Sequence, residues 1–212
     1  MKYLLYIPLI LVSYGIGSLS MSYFLSRRKG FDIRKKGSGN AGASNAMITM
    51  GWKAGILTAL FDIGKAAFCV FAAKWLLGDV IPYVGAVAGV SAVLGHIFPF
   101  YLHFKGGKGL ASFLGMTLGL NWQVFLVACA VIALVTLITD YIVYGTLATA
   151  IGVPIALGIM NNRPVLALII FIATAVMVYK HKDNYKRLRE GTEIGFLRAN
   201  KGEDRVKPSK ND

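Results

Sequence analysis

The chain has 212 residues, 56% hydrophobic and only 16% charged, with a mean hydropathy of +0.59. A soluble domain of this length closes its core with less apolar material, so composition excludes an ordinary soluble globule and points to a membrane protein. A net charge of +13 suits nucleic acid, anionic lipid or orientation in a bilayer, and only its distribution separates these.

A helix needs about 20 apolar residues to cross the hydrocarbon core. Candidates in chain order are 3–25, 53–77, 82–102, 108–120, 122–139, 141–160 and 163–180. The first resembles a signal peptide, but its apolar stretch is too long and further spans follow, so a transmembrane helix is expected. Pro99 and the glycines after it interrupt the third and fourth runs, and the fourth is short. The expectation is an all-α, polytopic membrane protein of about seven helices, with one domain over 1–193 and a basic, loose tail over 194–212. Cys69 and Cys129 lie inside apolar runs without metal-type spacing, and they read as packing residues. Neither a metal site nor a cofactor is expected.

Of the 23 Lys and Arg residues, seven lie between 26 and 53, two (Lys105 and Lys108) in the third connection, and ten from Lys180 onward. The even connections hold almost none, Arg163 excepted. This alternation fits the positive-inside rule, with the N-terminus outside and the odd connections and C-terminus in the cytoplasm. Nucleic-acid binding uses basic residues too, but does not produce alternation by loop.

Three unusual segments fall on that same side. The first, GSGNAGASNAMITMG at 37–51, is supple and polar. Its glycines let successive amides turn toward one point, as in an anion nest, and Ser38, Asn40, Ser44 and Asn45 add side-chain donors. The run AMITMG then starts a helix whose N-terminus favours an anion. The plain alternative is a flexible linker between spans.

The second, GHIFPFYLHFKGGKGLA at 95–111, places Lys105 and Lys108 around Gly106 and Gly107. Amides and an ammonium arranged so cradle phosphate oxygens, although the spacing is not that of a P-loop. Irregular backbone at membrane depth survives only where it lines a cavity or is buried in protein. His96 reads as a buried structural histidine bonded to backbone, and His103 as an interfacial residue. The third, HKDNYKRLREGTE at 181–193, looks helical, with His181 and Asn184 on one face. Both can donate to an oxygen-rich ligand, and an unperturbed histidine titrates near neutral pH. The basic residues Lys182, Lys186, Arg187 and Arg189 suit a helix attracted to anionic lipid. Asp62 and Lys65, at i and i+3 inside the second span, read as a structural ion pair between helices.

Taken together, GSGNAGASN at 37–45, GHIFPFYLHFKGGKG at 95–109 and HKDNYKRLREGTE at 181–193 resemble the bacterial acyl-phosphate:glycerol-3-phosphate acyltransferases, the PlsY family. The resemblance reaches to about residue 193. It implies a monomeric, seven-helix enzyme of the bacterial inner membrane, in phospholipid biosynthesis, with its active site facing the cytoplasm. Such an enzyme moves a fatty acyl group from acyl phosphate to the 1-hydroxyl of glycerol 3-phosphate, giving lysophosphatidic acid and phosphate. By position, Ser38, Lys108 and His181 would be catalytic. Gly37, Gly39, Asn40, Gly42, Ser44, Asn45, Lys105, Gly106, Gly107 and Asn184 would bind substrate. Partners would be the two substrates and membrane lipid, with no nucleic acid.

The sequence departs from the family pattern at two places. Ile48 stands where the family has an arginine that binds phosphate, and YIVYGTL at 141–147 replaces a serine-rich stretch, leaving Thr146 as its hydroxyl. Arg34 and Lys53 are candidates for a substitute cation. The alternatives are a related acyltransferase with another acceptor or lower activity, and an anion transporter. Against the transporter, no internal repeat is visible and the motifs sit on one side.

Overall fold

The computed structural model describes residues 2–196. The 197–212 portion of the expected loose tail lies outside the described residues. Among the described residues every regular element is helical.

All seven apolar runs form helices. The first gives α1 (Tyr6–Ser18) and α2 (Met21–Arg28), and the others give α4 (Trp52–Leu77), α5 (Val84–Ile97), α6 (Leu110–Leu120), α7 (Trp122–Thr139), α8 (Ile142–Met160) and α9 (Pro164–Lys180). Two short helices belong to the motif segments: α3 (Ala43–Met50) and α10 (Lys182–Arg189). Five stretches are long and apolar enough to cross a membrane, and α9 meets α10 at a bend of 44°. The 11 residues of α6 rise only about 16 Å, about half a hydrocarbon core.

Local chemistry sets the boundaries. Asn121 caps α7, its Oδ1 accepting from the backbone N–H groups of Gln123 and Val124 at 2.9 and 3.0 Å. Pro164 occupies the first turn of α9, where a missing N–H costs nothing. The first span is broken at Leu19 and Ser20, and backbone groups freed there need partners at this depth. Lys65 Nζ donates to Leu19 O (2.6 Å), Ser20 N donates to Tyr101 Oη (3.0 Å), and Tyr101 Oη donates to Ser18 O (3.0 Å).

The main core joins α5, α6, α8 and α9 around Val93, Ile97, Phe113, Met116, Leu157, Ile170 and Met177, all buried. Helix α4 runs alongside α6, α1 alongside α5, and α7 alongside α8. Small residues permit the close crossings: a Cβ at Gly115 of α6 would sit 2.1 Å from Ile63 O of α4. A separate small core of Ile33, Ala41 and Ala46, with Phe31 and Met50 against it, closes the first motif on itself, and α3 packs along α4.

Candidate active site

The first motif is shaped by one side chain. Asn45, fully buried on α3, points its Nδ2 at the carbonyls of Ile33 (3.1 Å), Lys36 (3.0 Å) and Asn40 (2.9 Å). Its Oδ1 accepts from Ser38 N at 2.9 Å. The chain winds around this amide, and Gly37 turns there at φ +58°, with no room for a Cβ (2.2 Å from Asn45 Oδ1). The expected ligand Asn45 is therefore the loop's organiser, with its polar atoms occupied. Helix α3 begins at Gly42 with no side-chain cap, leaving its first amides open to an anion.

A second tether joins this loop to the next motif. Arg34 binds Asp32 (Nη2 to Oδ2, 2.7 Å), donates from Nη1 to Leu102 O (2.8 Å) and lies over the Tyr23 ring. The Arg34 hydrogen bonds hold the Asp32 carboxyl down at about 2. Arg34 thus belongs to the scaffold.

In the second motif the chain doubles back on the end of α5. Gly106 N donates to Ile97 O and Gly107 N to His96 O, each at 3.1 Å. Side chains are excluded at both glycines: a Cβ would come within 2.1 Å of His96 O at Gly106, and within 2.0 Å of His96 Nε2 at Gly107. The His96 side chain does not bond to backbone as expected. Its Nδ1 lies 3.3 Å from Asp62 Oδ1 and 3.2 Å from Lys65 Nζ. His103 is exposed, and so is Lys105, which does not line the cleft described below.

The third motif brings the segments together. Lys108 Nζ donates to Asn184 Oδ1, and Asn184 Nδ2 donates to Glu193 Oε1. Glu193 Oε2 also accepts from Arg187 Nε at 2.6 Å, so one carboxylate orients both. Burial pushes the Lys108 ammonium below its ordinary value, and the neighbouring Arg187 pushes the same way. His181 is buried just past α9, with Nδ1 2.8 Å from Met177 O. A carbonyl only accepts, so Nδ1 carries the proton and Nε2 is left with its lone pair. Burial, with Lys108 adding to it, pushes this ring down to about 4. His181 is therefore neutral at pH 7, and the expectation of titration near neutrality does not hold in this environment.

These pieces enclose a cleft of about 310 Å³ lined by Ser38, Asn40, Lys108, Tyr179, Lys180, Lys182, Asp183 and Arg187. Gly42 also approaches: a Cβ there would lie 3.9 Å from Gly107 Cα. Gly37, Gly39 and Ser44 are exposed and are not among the lining residues. Sequence reasoning misses Tyr179, Lys180 and Asp183, and the cleft-lining position of Lys182 and Arg187, whose charge suits anionic lipid equally well. The available signal was helical spacing, since Tyr179, Asp183 and Arg187 recur every four residues. Of the suggested substitute cations, Arg34 is engaged elsewhere and Lys53 is exposed beside Trp52. Thr146 is buried and donates to Ile142 O of its own helix.

A polytopic helical bundle with a cation-lined cleft at one end, built from glycine loops, defines a membrane protein that handles phosphorylated compounds. The chain matches the family described as glycerol-3-phosphate acyltransferase over residues 7–191. It is 40% identical to the glycerol-3-phosphate acyltransferase of Geobacter sulfurreducens over 185 residues, covering 87% of this chain and 94% of that protein. Identity to the protein of the same name from Clostridioides difficile is 39%, covering 89% and 94%. The fold superposes on crystal structures of the integral membrane enzyme PlsY. Its glycerol 3-phosphate form gives a TM-score of 0.85 at 28% identity, covering 94% of this chain and 99% of that one. Its lysophosphatidic acid form gives 0.81 at 29%. The chain belongs to the glycerol-3-phosphate acyltransferase family.

Proposed function

We propose that the protein transfers a fatty acyl group from acyl phosphate to the 1-hydroxyl of glycerol 3-phosphate, releasing lysophosphatidic acid and inorganic phosphate. The observation that carries this reading is the convergence of Ser38, Asn40, Lys108, Lys180, Lys182 and Arg187 on one cleft. Two phosphate groups repel each other, and the four cations lining that cleft offset the repulsion.

Acyl phosphate is already activated, so no covalent enzyme intermediate is required. Ser38 Oγ, Asn40, the amides at the start of α3, and Lys108 hold the acyl-phosphate head. Lys108, Asn184, Arg187 and the lysines of the α9–α10 junction hold the acceptor phosphate. The hydroxyl oxygen attacks the acyl carbon, the carbon–oxygen bond to phosphate breaks, and the departing phosphate takes the hydroxyl proton. Catalysis then rests on positioning and on cationic stabilisation of developing charge. His181, neutral and fixed by Met177 O, offers Nε2 as a second proton acceptor. The acyl tail lies between helices, and no metal or cofactor takes part. The loop charges support a site facing the cytoplasm of the bacterial inner membrane, with the N-terminus outside.

Purified protein supplied with acyl phosphate and glycerol 3-phosphate is expected to form lysophosphatidic acid. Lys108→Ala is expected to lower turnover by about 100-fold or more, removing a half-buried charge at the reacting centre, while exposed Lys53→Ala stays within about twofold. Equal behaviour of the two variants refutes the assignment. Ile48 favours a second reading, a different polyol phosphate acceptor, and a panel of acceptors in the same assay decides between them.

A further inference from the structure

Three ionisable side chains meet inside the bundle. Asp62 is 1% exposed, His96 5% and Lys65 6%, all within helices assigned to membrane spans. Lys65 Nζ lies 2.7 Å from Asp62 Oδ1. Such groups are expensive at membrane depth and need a reason. Lys65 has one, since it satisfies Leu19 O at the break in the first span. Asp62 has one, since it neutralises Lys65. His96 is left over, because an apolar ring would fill its place at lower desolvation cost.

Two facts about His96 bear on the cleft. Its Nδ1 lies 3.3 Å from Asp62 Oδ1 and 3.2 Å from Lys65 Nζ; with a proton it donates to the carboxylate, without one it accepts from the ammonium, and either bond fixes the ring plane. Its Nε2 edge then lies directly against Gly107, while its carbonyl accepts from Gly107 N on the same side. The next residue is Lys108, whose ammonium lies in the cleft. A contiguous path therefore runs from α4, through an imidazole locked at one nitrogen, to the turn that presents the lysine.

We propose that Asp62, Lys65 and His96 form a positioning unit for the glycine loop: the ion pair locks the imidazole, and the imidazole sets the depth of Gly107 and Lys108 in the cleft. The inference rests on the reading that this loop grips a phosphate group. It predicts that loosening the ring weakens phosphate binding before it weakens chemistry, since small misplacements of a supporting group degrade a preorganised site.

The test uses full-length protein in detergent and two readouts: the Kd for inorganic phosphate by calorimetry, and acyl-transfer kinetics. Asparagine keeps a polar atom near the Nδ1 position but leaves the space under Gly107 empty. His96→Asn is expected to raise the phosphate Kd and the acyl-phosphate KM about tenfold, with kcat within about threefold. His96→Gln, which returns an amide beneath Gly107, is expected to restore most of that loss. Gly107→Ala alone is expected to lose about 100-fold in phosphate affinity, because its Cβ meets the ring; in the His96→Asn background the vacated space admits it, and affinity recovers about tenfold.

If His96→Asn fails to fold, the charge-neutral pair Asp62→Asn/Lys65→Gln tests the same lock, with the same rise in Kd expected. A lowered melting midpoint with unchanged phosphate Kd, or no recovery in the double variant, overturns the proposal and leaves the cluster as helix packing only. Wild-type protein that binds phosphate but yields no lysophosphatidic acid overturns the acyl-transfer reading instead, and the Kd series still decides the inference.

Discussion

Replacing Asn45 by alanine tests how the first loop is held. The Asn45 amide faces three carbonyls, at 2.9 to 3.1 Å, and accepts from Ser38 N at 2.9 Å. Its two N–H groups can satisfy two of those carbonyls well at a time, so about three hydrogen bonds are lost, at about 1 kcal/mol each. Some orphaned groups reach water through exposed Lys36 and Ser38, which keeps the total at about 3 kcal/mol. If that energy separates the gripping loop from a relaxed one, phosphate affinity falls by up to about 100-fold. The assay is phosphate calorimetry beside a detergent thermal melt of the same samples. Asn45→Ala is expected to lower both affinity and melting midpoint. Asn45→Asp, which keeps the acceptor but not the donors, is expected to fall between. Weakened affinity with an unchanged melt would mean that Asn45 touches the ligand directly. Unchanged affinity would mean that the loop holds its shape without it, and either result refutes the reasoning.

Three further outcomes are expected. The His181 ring, titrated by NMR in labelled protein, should show a midpoint near 4 rather than the usual 6.5. The unfolded chain takes up that proton first, so stability is lost as pH falls from about 6.5 to about 4, and a midpoint near 6.5 refutes the burial argument. Arg34→Ala should cost about 2 kcal/mol by removing the guanidinium from the Asp32 carboxylate and Leu102 O, each of which keeps one backbone N–H donor. In the wild type the Asp32 contribution is full above 3.8 and disappears as pH falls through about 2, and a variant melt that matches wild type at neutral pH refutes the tether. Ile48→Arg should lower the KM for glycerol 3-phosphate by no more than about threefold, because the cleft already holds four cations. A tenfold fall would show a real vacancy at that position.

The sequence by itself determined the helical membrane architecture. Apolar runs of span length have no other stable form in a bilayer, and their boundaries are local matters of Asn121, Pro164 and the glycines. The three motifs were equally legible, because glycine, amide and lysine at short spacing carry their chemistry in the chain itself. Only the tertiary structure decided what each polar residue faces. Asn45 has the donors of a ligand in the sequence but turns inward to hold the loop. Arg34, a candidate substitute cation by charge, is engaged by Asp32 and Leu102 O, while Arg187, equally suited to anionic lipid, lines the cleft. His96, expected to bond to backbone, meets Asp62 and Lys65 across two helices. The reason is common to all four: an amide, guanidinium or imidazole has the same hydrogen-bonding capacity wherever it stands in the chain. Whether that capacity meets a carbonyl, a carboxylate or an open cleft depends on residues tens of positions away, which only packing brings near.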